Sequence, residues 1–95
     1  MFGDVERFSV MMGCMIRLLP SALRHGIEKS DILQAWNRPI ASFTERDDPL
    51  KVIRLGFDSH ARLLEVGGEI YSDGQQKIFH AMVARRVYTE RIGWR

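Results

Sequence analysis

The stretch "RLLEVGGEIYSDGQQKIFHAMV", Arg62 to Val83, constrains the fold more than any other part of the chain. Asp73-Gly74 separates two apolar-rich runs. Such a pair is the strongest short-range hairpin signal, because glycine takes a positive φ without strain. "RLLEVGGEIY" and "QKIFHAMV" are therefore predicted as paired antiparallel strands. Gly67-Gly68 predicts a bulge or kink in the first of them. Alternation in the second puts Ile78, His80 and Met82 on one face and Phe79, Ala81 and Val83 on the other.

Upstream, "KVIRLGF" alternates too, with Ile53, Leu55 and Phe57 opposite Val52, Arg54 and Gly56. "DSHA" reads as its turn, "IASF" as a first strand and "TERDDP" as a polar turn. The pattern predicts a meander of three to four antiparallel strands.

Helical spacing flanks this meander. Val5, Phe8, Met12, Met15 and Leu19 fit one face of a helix; alternatively the chain up to Cys14 is a leader and "MIRLL" a short strand. "PSALRHG" predicts a short helix opened by Pro20 or Ser21 and closed by Gly26. Ser30 is the expected N-cap of the next helix, with Asp31 in its first turn and Ile32, Leu33 and Trp36 as its apolar stripe. Pro39 stops it, since the residue before a proline resists helical geometry. "ARRVYTERIGW" predicts a closing helix with Val87, Arg91 and Trp94 inward. The expectation is one α+β domain over residues 1–95: N-terminal helices, the meander, then a C-terminal helix. Residues 1–14 are set apart as an extension from a core over 15–95. With the helices on one face of the sheet, the other face, carrying Arg54, is open to solvent or ligand.

A 45% hydrophobic, 27% charged chain can bury one modest core. Cys14 is the only cysteine, so no intrachain disulfide or thiolate zinc site is expected. Gly13 and Arg17 interrupt the N-terminal apolar run, and Asp4 and Glu6 stand where a secretory leader would be basic. A cytoplasmic protein is expected, without a membrane span. The net charge is only +2. However, Lys77, Arg85, Arg86, Arg91 and Arg95 face Glu90 alone in the last nineteen residues, which suits either an anionic partner or a solvated, arginine-rich helix face.

The chain has no phosphate-cradling glycine loop, zinc-binding histidine pair or nucleophile elbow. It has instead histidines and cations that a meander can gather. Metal-free RNA cleavage needs such a set: a base for the 2′-hydroxyl, an acid for the leaving oxygen, and cations for the charge gained at phosphate. His25, Arg54, Arg62, His80 and Arg85 are the catalytic candidates, and Arg24, Lys77 and Arg86 the RNA-binding ones. No metal or cofactor is expected. Each has a plainer reading. His25 can cap a helix C-terminus, His60 can be a solvated turn residue and His80 a hydrogen-bonded core residue. The Arg62 stem can cover apolar surface, and Arg85 can pair with Glu65 or Glu69.

In order and spacing, "PSALRHGIEKSDILQAWNRP", "KVIRLGFDSHARLLEV" and "IFHAMVARRVY" resemble the BrnT-like toxins of bacterial toxin–antitoxin pairs, over Ile16 to Tyr88. The resemblance implies a RelE-like α+β ribonuclease that inhibits translation and is neutralised by a cognate antitoxin, usually a DNA-binding protein. On matching positions it carries function to Arg24, His25, Arg54, Arg62, His80 and Arg85. Family members often have serine in the final strand where this chain has "FHAM". A second reading is a non-catalytic module, homodimeric through the apolar, methionine-rich N-terminal segment.

Overall fold

The computed structural model describes residues 15–94. The helical spacing over Val5, Phe8 and Met12, and the interface expected of the N-terminal segment, lie outside the described residues. Five strands form one sheet: β1 (Met15–Leu18), β2 (Ala41–Asp47), β3 (Leu50–Phe57), β4 (Leu63–Ile70) and β5 (Gln75–Val83). Their order is β1-β5-β4-β3-β2. β2 to β5 make the antiparallel meander, and β1 adds in parallel along β5. One helix of useful length, α1 (Lys29–Asn37), precedes the meander. A four-residue α2 (Arg86–Thr89) follows it and runs into a 3-10 turn, Glu90–Ile92.

The class is α+β, but the sheet is mixed and five-stranded, not a three- or four-stranded antiparallel meander behind N-terminal helices. "MIRL" is a strand with Ile16 buried between exposed Met15 and Arg17; periodicity alone cannot separate helix from strand over so short a run. "PSAL" is a 3-10 turn. The expected turn "TERDDP" is mostly strand: β2 continues to Asp47 with an irregularity between Thr44 and Arg46, leaving Asp48 and Pro49, joined by a cis peptide bond, as the turn. Its polarity is that of an edge strand facing water.

The α1 side of the sheet carries the larger core: Ile16, Ala22, Ile27, Ile32, Ala35 and Trp36 over Val52, Leu64, Val66, Ile78 and Ala81. Glycines permit the close approach. A Cβ on Gly56 would lie 2.5 Å from the Ala35 carbonyl oxygen, and one on Gly68 2.8 Å from the Trp36 ring. The Trp36 indole N–H donates to Gln76 Oε1 at 2.6 Å. Helix α1 starts two residues earlier than expected. Glu28 occupies the N-cap position and its carbonyl accepts from Ile32 N–H, so Ser30 sits inside the first turn.

On the opposite side, Ile53, Leu55 and Leu63 pack with Phe43, Phe57, Tyr88 and Ile92. Tyr88 stacks on Phe43 with centroids 6.1 Å apart, and Trp94 meets Phe57 edge-on at 5.3 Å. Arg91 lies 4.0 Å over the Phe43 ring. Val87, expected inward, is 60% exposed; the shortness of α2 turns Tyr88 and Ile92 to the sheet instead. The C-terminal segment thus covers the β2–β3 half of this face and leaves the β4–β5 half open. Among the described residues, no helix is long and apolar enough to cross a membrane.

Candidate active site

The β4–β5 pairing builds the site. Its register shifts at Gly67/Gly68: Gly67 lies opposite His80 and Gly68 opposite Ile78, which leaves Phe79 as the extra residue. A bulge of this kind breaks strict alternation and re-aims side chains. Ile78 and Ala81 both point into the core under α1, and His80 points to the opposite face, where it meets Glu65. The alternation expected for β5 is corrected accordingly: Ile78 and His80 occupy different faces. The double glycine was the visible signal, but the displaced residue is on the partner strand.

Glu65 is fully buried on a strand flanked in register by Leu55 and Met82. A buried carboxylate demands donors, and Glu65 has them. Arg85 gives its backbone N–H at 2.8 Å to Oε1 and its guanidinium at 2.7 Å to Oε2. His80 Nε2 lies 2.8 Å from Oε2. Burial pushes the Glu65 carboxyl up; the Arg85 and His80 hydrogen bonds and the Arg85 charge outweigh it and hold the carboxyl below its ordinary value. In return, the hydrogen bond to Glu65 raises Arg85. A carboxylate only accepts, so His80 Nε2 carries hydrogen and, in the neutral ring, Nδ1 is the free basic atom. The His25 ring stands edge-on to His80, centroids 6.0 Å apart. Arg85 keeps 53% of its side chain exposed and lies 5.8 Å from the centroid of Tyr88.

The fold therefore holds His80 and Arg85, from the end of β5, on one buried acid, and stands His25 beside His80. The sequence offers Glu65 only as a pairing partner for Arg85; the structure ties it to both Arg85 and His80. Its position between apolar Leu64 and Val66 was the available sign.

Two expected members stand elsewhere. Arg54 is not on the open face. It lies under α1, stacked 4.3 Å from the Trp36 ring, and donates from Nη1 to the Trp36 carbonyl at 3.0 Å. Burial lowers its pKa, and its buried Nε is without an acceptor among the described residues. It caps the C-terminal turn of α1, where positive charge is favoured. The reversal follows from alternation: Arg54 lies between Ile53 and Leu55, which occupy the face opposite α1.

Arg62 is committed to the β3–β4 turn, bound to Asp58 at 2.7 Å. Asp58 Oδ1 also accepts from the backbone of His60 and Arg62. Burial opposes ionisation of Asp58, yet these bonds and the Arg62 charge hold it below its ordinary value. Asp31 of α1 accepts from Ser59 N–H at 2.9 Å and ties the turn to the helix. Asp31, Asp58 and His60 bring ligand-type atoms within 4.8 Å of one another, but these bonds already occupy the two carboxylates in fastening the turn. His60 is exposed, as a solvated turn residue would be.

Of the RNA-binding candidates, Arg24 is exposed beside His25. Lys77 Nζ lies 5.3 Å from the Tyr71 centroid. Arg86 is paired with Glu90 at 2.9 Å on the exposed side of α2.

The chain matches no protein-family model and no curated protein.

Proposed function

We propose that the chain is a small ribonuclease of the toxin kind, cleaving RNA through its own side chains. The observation that carries this reading is His80 and Arg85 held together on buried Glu65, with the His25 ring beside His80. His80, fixed by Glu65 in the tautomer with Nδ1 free, takes the proton of a 2′-hydroxyl. The 2′-oxygen then attacks phosphorus. Arg85 holds the phosphate oxygens as they gain charge. The bond to the 5′-oxygen breaks, and His25 supplies the proton that this oxygen takes. The products are a 2′,3′-cyclic phosphate and a 5′-hydroxyl. Histidine suits both proton roles because its ordinary pKa is near 6.5.

Glu65 is a positioning residue in this scheme. It fixes the imidazole and the guanidinium at once, as the third group of a catalytic triad orients its base. The setting, inhibition of translation and release by a cognate antitoxin protein in the cytoplasm, rests on the resemblance to BrnT-like toxins. Induction in bacteria of the chain and of a His25→Ala/Arg85→Ala version tests it. The reading expects growth arrest that the double variant relieves; unimpeded growth with abundant folded wild-type protein contradicts it.

A further inference from the structure

The bulge that delivers His80 to the open face also has a second product. Phe79, the residue it displaces, joins His80 on that face: its ring comes within 3.5 Å of the point where a Gly67 Cβ would be, beside Ile53 and the His80 Cβ. Gly67 itself is buried with no side chain, so an aromatic ring next to the histidine lies over bare sheet. Lys51 reaches this ring from β3, its Nζ 5.3 Å from the centroid. One row further, Lys51, Glu69 and Lys77 stand in register across β3, β4 and β5. Lys77 is 5.3 Å from the ring of Tyr71. Here the acids are engaged: Glu69 with Arg46 and the Tyr71 hydroxyl, Glu45 with the Tyr88 hydroxyl and, at 4.0 Å, Lys51.

An aromatic face with a cation beside it is the basic unit of single-stranded nucleic-acid binding. Every base has a face to stack, and the cation holds the adjoining phosphate. A duplex cannot use it, because its bases are already stacked on each other. We infer that Phe79 is the stacking platform for the base next to the scissile phosphate, with Lys51 as its phosphate partner. The substrate is then single-stranded RNA lying along β5, from Lys77 past Phe79 to the histidines and Arg85. This inference rests on the ribonuclease reading of the same face. It assigns Phe79 a role of its own.

The probe is a fluorescent, fully 2′-O-methylated hexanucleotide, which lacks the hydroxyl needed for cleavage, as a single strand and as a duplex. Wild type should bind the single strand at least tenfold tighter than the duplex. Phe79→Ala should weaken single-strand binding about tenfold, Lys51→Ala several-fold, and Phe79→Trp should bind like wild type. Phe79→Trp keeps an aromatic ring at this packed position, so its retention of binding with Phe79→Leu weakened separates stacking from folding. Equal binding of strand and duplex, or of Phe79→Leu and wild type, overturns the inference, as does no binding by wild type. Cleavage is read separately on unmodified RNA. Binding through Phe79 with no cleavage defeats the ribonuclease reading alone. Cleavage with KM unchanged in Phe79→Leu defeats the stacking platform alone.

Discussion

His80 Nε2 lies 2.8 Å from a carboxylate oxygen of Glu65, a side chain with no exposed surface. The same carboxylate holds Arg85, so one buried charge fixes two candidate catalytic groups. Its pKa is depressed in the folded chain, against about 4.3 when unfolded. A depressed folded pKa contributes stability that is present above the unfolded value and lost as pH falls through the folded one. Glu65→Gln lacks this term. The stability advantage of wild type over Glu65→Gln should be constant above about pH 5 and shrink on acidification. Thermal melts of both proteins from pH 7 to pH 3 measure it; parallel curves would contradict the assignment.

Arg54 and Arg85 should behave differently. Arg54 stacks on Trp36 under the helix, so Arg54→Ala should cost about 1–3 kcal/mol of stability and leave kcat of the folded fraction near wild type. Arg85→Ala should lower kcat about a hundredfold or more. Cleavage rates normalised to folded protein, with denaturant melts alongside, distinguish them.

The β3–β4 turn depends on Asp58, which takes two backbone N–H groups and Arg62. Asp58→Ala strands those donors and should destabilise by about 1–3 kcal/mol. His60→Ala, at an exposed position in the same turn, should change stability by less than about 0.5 kcal/mol. Urea denaturation of the two variants checks the contrast.

Helix α1 sits directly on β3 at Gly56. Because a Cβ there would lie 2.5 Å from the Ala35 carbonyl oxygen, Gly56→Ala must push helix and sheet apart, at about 1–3 kcal/mol. Gly26→Ala meets open space but a φ of +76°, so its cost is backbone strain alone. Melting temperatures for both variants test whether packing or backbone dominates at each glycine.

The meander was legible because its signals are local. Asp73-Gly74 forms the β4–β5 turn, where Asp73 accepts from Gln75 N–H and Gly74 takes φ +90°. Alternation in "KVIRLGF" separates Ile53 and Leu55 from Val52 as expected. What was not legible depends on partners. β1 is defined by its parallel pairing with β5, sixty residues away in sequence between Met15 and Gln75. Likewise β2 extends through polar residues because Arg46 and Asp47 pair with Lys51 and Leu50 on β3, and Arg46 also meets Glu69 on β4. The side of the sheet that carries α1 decided Arg54: alternation grouped it correctly with Val52, but could not say that α1 would cover that group. His25, His80 and Arg85 were selected for their chemistry. Bringing His80 to Glu65 takes the bulge at Gly67/Gly68, and the sequence offers Glu65 only as a pairing partner for Arg85.

The most direct measurement is cleavage of single-stranded RNA by purified wild-type, His25→Ala, His80→Ala and Arg85→Ala proteins in the presence of a chelator, with product ends identified by mass. The account predicts fragments ending in 2′,3′-cyclic phosphate from wild type, and at least a hundredfold slower cleavage by each folded variant. Intact RNA with folded wild-type protein, or equal cleavage by His80→Ala, would contradict it.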